Sequence, residues 1–162
     1  MCEDLPTPYK YRGILYCQDE ETGRVVEEVL SRYGIPLEAI GGMAAVKEGK
    51  GINLTTPQAL LIHPPGLVRR GISFIKELQR GGRLTSAAIR LIGTLATKEV
   101  VELNRDETER FLRGETLEEY RGGGVWVIVR YRGYPLGGGI LSSRGLIPQL
   151  PKAVRSITHL PP

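Results

Sequence analysis

Cysteine is scarce in this chain: two residues in 162, Cys2 and Cys17. They form no CxxC pair, and the two histidines, His63 and His159, stand far from both in sequence. A structural zinc site draws four ligands from close, paired spacings. The pattern therefore argues against a metal site and for free thiols in a reducing compartment. No apolar run approaches the ~20 residues that a membrane helix needs. The opening residues, Met-Cys-Glu-Asp-Leu-Pro-Thr-Pro, have neither the basic start nor the apolar stretch of a secretion signal, so the expected location is cytoplasmic. Catalytic signatures are missing too. There is no GxGxxG after a strand, no Walker loop and no GxSxG. Gly137-Gly138-Gly139 is followed by Ile140 and Leu141, not by a phosphate-binding lysine and a helix start. Neither cysteine has a histidine placed to activate it. The pairs Glu20-Glu21, Glu27-Glu28 and Glu118-Glu119 read as solvated surface rather than acid–base dyads. The expectation is a chain with no catalytic residues, no cofactor and no metal.

What is present is an ordinary globular composition, 41% apolar and 25% charged. The length suits one domain or two small ones. The charge is uneven. Residues 1–66 hold six Lys/Arg against nine Asp/Glu, a balance of −3, and residues 67–162 hold sixteen against nine, a balance of +7. This points to a polyanion partner for the C-terminal part. Arginine outnumbers lysine sixteen to six, and guanidinium forks suit phosphate and base stacking.

Hydrophobic spacing places the elements. Val25, Val26, Val29, Leu30 and Tyr33 share one face of a helix over 21–33, with Thr22 as N-cap and Gly34 as terminator. Residues 36–40 read as a short helical turn. MAAVK (43–47) and INLT (52–55) flank Glu48-Gly49-Lys50-Gly51 as a β-hairpin. Thr56-Pro57 starts another short helix through Leu61. His63-Pro64-Pro65-Gly66 is the clearest break, and the domain boundary is placed there. Beyond it, 67–78 reads as extended and Arg80-Gly81-Gly82-Arg83 as a loop. A helix over 87–97 should bury Ala88, Leu91, Ile92 and Leu95. Residues 98–103 form a strand, and Asn104 caps a helix over 105–113 that Gly114 ends. Residues 125–131 are a strand, Gly133-Tyr134-Pro135 a turn, 136–142 the returning strand and 146–150 a last short segment. The three adjacent glycines permit a bulge, a bend or close backbone approach. The expected fold class is α+β: a small N-terminal α/β module (1–66), then a partly open barrel of short mixed strands with helices over its ends (67–162).

The stretch GVWVIVRYRGYPLGGGILSSRGLIPQLPKAVR, 124–155, carries a specific pattern. Gly133, Pro135, Leu136, Gly137 and Gly139 fit "G-x-P-L-G-x-G", and Gly145, Pro151, Lys152 and Arg155 fit the segment that follows it. Upstream, Glu109-Arg-Phe-Leu-Arg-Gly-Glu115 is similar to a "YLRGE" helix end. Together these resemble the C-terminal PUA-like domain of the Sun/Fmu family of RNA cytosine-5 methyltransferases. Arg32-Tyr-Gly-Ile-Pro36, Gly42 and the hairpin at Gly49 resemble the small module that precedes that domain in some members. The chain departs from the family where Leu146-Ile147-Pro148 replaces "L-K-N". The family's catalytic cysteines follow Pro or Thr, whereas Cys2 follows Met1 and Cys17 follows Tyr16, and no cofactor-binding glycine loop is present. Methyl transfer is therefore not carried over.

What the resemblance implies is recognition of structured RNA, tRNA or rRNA, in RNA modification or ribosome biogenesis. The residues assigned to RNA are Arg80 and Arg83 around a glycine loop whose N–H groups would meet phosphate, Arg90 on the following helix, Tyr134 as a stacking ring, and Arg144, Lys152 and Arg155 on the hairpin side. Arg130 and Arg132 should share a strand face whose partner, RNA or solvent, spacing does not decide. The acidic N-terminal module is expected to orient this domain or dock a protein. The competing reading is a protein–protein adaptor for a separate RNA-modifying enzyme, one that no longer touches RNA itself.

Overall fold

In a computed structural model of the chain, which describes residues 9–62, 64–67 and 69–151, the first helix begins ahead of Thr22. It is α1, Glu20–Arg32, and its N-cap is Asp19, whose carboxylate accepts from the Thr22 amide at 2.7 Å. Thr22 is buried inside the first turn. The carboxylate wins because its charge also meets the positive end of the helix. Val26, Val29, Leu30 and Tyr33 are buried. At the other end the Ile35 amide reaches the Leu30 carbonyl and the Gly34 amide the Ser31 carbonyl, with Gly34 at φ +64. That is the left-handed glycine termination expected from sequence.

The amide and hydroxyl of Thr22 hold the Asp19 carboxyl below its ordinary value of 3.8. Asp19→Ala is expected to cost about 1 kcal/mol at neutral pH. A lowered folded-state pKa means that this contribution is complete above the ordinary value and is lost as pH falls through the folded one. Denaturant unfolding of wild type and variant should therefore differ at pH 7 and converge in acid.

The first compact unit, Met1–Ala87, is built on a six-stranded sheet. Its strands, in spatial order, are β1 (Tyr9–Tyr11), β2 (Leu15–Cys17), β3 (Ala44–Glu48), β4 (Gly51–Thr55), β5 (Ile72–Lys76) and β6 (Arg83–Leu84). Only β2 and β3 pair in parallel, with α1 as the crossover; the other pairs are antiparallel. Leu15, Leu30, Ile52, Leu54, Phe74 and Leu84 are fully buried. Gly23 sits against the Tyr11 ring where any Cβ would overlap it. The 3₁₀ turns Leu37–Ile40 and Pro57–Leu61 fall where prolines 36 and 57 open them. Because β5 pairs with β4 and β6 with β5, the break at Gly66 lies within this unit. Residues 1–87 hold eleven Lys/Arg against ten Asp/Glu, and residues 88–162 eleven against eight. The balances become +1 and +3, so the steep charge step at Gly66 does not separate the compact units.

The second unit, Ala88–Pro162, contains most of α2 (Ser86–Ile92), a 3₁₀ turn Gly93–Leu95, β7 (Val100–Leu103), α3 (Arg105–Leu112), β8 (Val125–Tyr131), β9 (Tyr134–Ser142) and β10 (Gly145–Gln149). The sheet runs β10-β9-β8-β7 and is open, so the expected barrel is a four-stranded sheet among the described residues. β7 and β8 are parallel, with α3 between them in sequence, and the rest is an antiparallel meander. Phe111, Leu117, Val127, Val129 and Leu146 form the core. Asn104 and Glu107 make a reciprocal capping box at α3. The fold class is α+β, as expected. Both units repeat one order of elements: strand, helix, parallel strand, then two antiparallel strands.

Two local expectations change. The helix expected to run to Thr97 tightens to 3₁₀ at Gly93, which rotates its buried face. Ala88, Ile89, Ile92 and Gly93 are buried, while Leu91 and Leu95 are about half exposed. Gly93 has no Cβ to keep it off Pro135 and Ile128. The β8–β9 turn is Arg132-Gly133, both at positive φ (50 and 80), not Gly133-Tyr134-Pro135. This is the mirror-image turn whose twist matches a hairpin, and it makes Tyr134 and Pro135 the first residues of β9, where proline is tolerated. Of the three glycines, Gly138 lies under the Trp126 ring and Gly139 against Leu146.

Candidate nucleic-acid interface

The Arg80–Arg83 loop does not offer amides to an anion. The amides of Arg80 and Gly82 bond to the Glu77 carbonyl and that of Gly81 to the Leu78 carbonyl. From α1, Arg32 donates to the carbonyl of Gly81 and, at 3.0 Å, to that of Gly82. The loop is thus closed by its own backbone and tethered from fifty residues away in sequence. The Arg83 Nε bonds Glu77 Oε2 at 2.9 Å, and this bond holds the Glu77 carboxyl below its usual range. Arg80 is exposed and has no ion pair among the described residues.

In the second unit, ion pairing divides the arginines. Arg105 pairs with Glu109, Arg110 with Glu115 and Glu119, and Arg113 with Glu115. Arg130 is a brace. Its Nε meets Glu102 at 2.7 Å, and its Nη1 donates to the carbonyls of Thr94 and Ala96 at 3.1 and 3.0 Å. It therefore ties β8 to the end of the 3₁₀ turn. The other Glu102 oxygen accepts from the Gly133 amide at 3.4 Å and so steadies the hairpin tip.

At that tip the charges are left over. Arg132, held outward by its positive φ, lies with its guanidinium 5.3 Å from the Tyr131 ring centre. Tyr134 is 74% exposed. Pro135, paired with Arg130, packs on Gly93, so the side chain of Tyr134, paired with Tyr131, projects from the other face of the hairpin. Among the described residues neither Arg90 nor Arg132 has an ion-pair partner. The hairpin thus places Tyr134 beside Tyr131 and Arg132, while Arg90 lies on α2, whose following turn packs on Pro135. The Arg-Gly dipeptide at the hairpin centre was the sequence signal for Arg132: a two-residue turn ends the strand alternation and sends its side chain away from that of Arg130.

Arg144 is not part of this patch. It lies in the β9–β10 turn, at the far end of a nine-residue strand, roughly 25 Å along β9 from Tyr134. Lys152 and Arg155 lie outside the described residues. Among the described residues no three His, Cys, Asp or Glu side chains cluster as metal ligands, and no helix is long and apolar enough to cross a membrane. The buried Cys17 thiol is pushed up by burial.

Residues 98–156, which take in β7 through β10, match the family model described as the methyltransferase RsmF PUA domain. The match spans a little over a third of the chain and contains the whole 124–155 stretch on which the resemblance to the Sun/Fmu PUA-like domain rests. No curated protein matches the chain.

Proposed function

We propose that this chain binds structured RNA, tRNA or rRNA, as a non-catalytic module in RNA modification or ribosome biogenesis, with the β8–β9 tip as its contact surface. The reading starts from the match over 98–156 to a PUA domain of a methyltransferase. The observation that carries it is Tyr134, a phenol ring 74% exposed beside the Arg132-Gly133 turn. An exposed ring beside a guanidinium group suits an unpaired base stacked on the aromatic face, with a phosphate alongside. Arg90 and Arg132 supply charge without internal competition, and Arg130 positions the tip without touching RNA.

The test is fluorescence anisotropy of labelled tRNA and of an rRNA hairpin across a salt series. With two or three phosphates neutralised, log K should fall with log salt at a slope of about −1.5 to −3. Binding that ignores salt, or no binding, sinks the reading. The exposed pair Leu91 and Leu95 favours a second one, docking on a separate RNA-modifying enzyme. That reading predicts a salt-insensitive protein complex that Leu91→Asp abolishes.

A further inference from the structure

The first unit carries a basic groove that the RNA surface of the second unit does not use. It is a cavity of about 560 Å³ beside the β3–β4 turn, and Lys50, Arg69 and Lys76 line it. A neighbouring cavity shares Lys50 and adds Arg80. Among the described residues none of these four cations has a carboxylate in ion-pair contact. Two acids share the wall, and both are engaged in hydrogen bonds. Glu48 takes the Asn53 amide at 2.9 Å and the Arg70 backbone amide at 3.4 Å. Glu77 is held by Arg83.

Below the wall, Asn53 is buried and its side-chain amide also donates to the Arg70 carbonyl at 2.9 Å, which fixes the Arg69–Arg70 segment against β4. The Arg70 Nε is buried without an acceptor among the described residues. Gly51 lets β4 lie against the Ile75 carbonyl, where a Cβ would stand only 2.5 Å from that oxygen. The groove is thus built on fixed backbone and presents three cations against two carboxylates, one of them bound by Arg83.

We propose that this groove binds a ligand carrying two or more phosphate groups. Three cations around one cavity of this size fit successive phosphates better than a single small anion, and the lysines act as point charges that tolerate varied phosphate geometry. Its place in the fold agrees. In each unit the hairpin that follows the parallel strand carries a cation at its turn, Lys50 in the first and Arg132 in the second. The ligand class is shared by a free polyphosphate ester and by the backbone of a nucleic acid, and the proposal does not depend on RNA binding by the second unit.

The experiment titrates the full chain with inorganic tripolyphosphate by isothermal calorimetry, and separately with a nine-residue oligouridylate. Saturable tripolyphosphate binding is expected, at least tenfold weaker in Lys50→Glu/Lys76→Glu. It should change less than twofold in the control reversal Lys98→Glu/Arg105→Glu. Displacement of tripolyphosphate by the oligouridylate would identify a nucleic-acid backbone as the source, and binding without displacement a free polyphosphate ester; either supports the groove. No saturable binding, or equal loss in the control reversal, overturns it. Far-UV circular dichroism of each variant separates a binding defect from a folding defect.

Discussion

Tyr134→Ala is expected to weaken binding of tRNA or an rRNA hairpin about tenfold or more and to leave the thermal midpoint unchanged. The two halves of this expectation come from the same observation. With 74% of the residue in solvent, the ring contributes little to packing. Stacking of a base on such a ring is worth about 1–3 kcal/mol, or roughly 5- to 150-fold in affinity. Tyr134→Phe should keep most of the affinity, since the face of the ring does the stacking and the hydroxyl is dispensable. The salt slope should be the same in all three proteins, because no phosphate contact is removed. An unchanged affinity in Tyr134→Ala would remove the tip from the interface. A lowered midpoint would mean that the ring is structural.

Arg130→Met should act in the opposite way, on stability. The residue sits two positions before Arg132, yet its side chain is only 16% exposed. It holds one carboxylate oxygen and the carbonyls of Thr94 and Ala96. Hydrogen bonds to a charged group are worth about 1.5–3 kcal/mol, and the carbonyls it leaves behind are partly sheltered from water. A loss of about 2–3 kcal/mol is expected, lowering the midpoint by roughly 5–10 °C. Arg130→Lys should recover little of it, because a single ammonium cannot span the carboxylate and the carbonyls as the planar fork does. A change below about 0.5 kcal/mol is what a solvated surface residue gives, and would show that the brace is idle.

The contrast between these neighbours explains how far the sequence could be read. Local signals were legible: the capping box Asn104/Glu107, the glycine after α1, the hairpin at Gly49 and the prolines that open the 3₁₀ turns all depend on residues within a few positions of one another. The exposure of Tyr134 was legible because it follows a glycine turn at the end of a hairpin. Signals that depend on distant partners were not. The loop Arg80-Gly81-Gly82-Arg83 has the composition of an anion nest, but its amides turn back onto the Glu77 and Leu78 carbonyls, in a fold of the loop that Arg32, half a unit away in sequence, holds by its carbonyls. The buried face of α2 depended on Pro135 reaching Gly93. Whether Arg130 or Arg132 faces outward turned on which two residues make the hairpin, a shift of one position that moves every later side chain. The break at Gly66 was visible in composition, but the pairing of β5 with β4 that runs across it is a tertiary fact.

The parallel pairing of β7 with β8 sets the order in which the second unit assembles. Val100 meets Ile128, so this pair closes a loop of twenty-eight residues, whereas β8, β9 and β10 meet through turns of two residues each. Short loops close first and at the smallest entropic cost. The meander, with Tyr134 already at its end, therefore forms early, and the strand bearing Glu102 docks late. Until it does, the hairpin tip has its ring and guanidinium but no carboxylate to steady the turn, and the acquisition of a rigid tip coincides with the last step of folding.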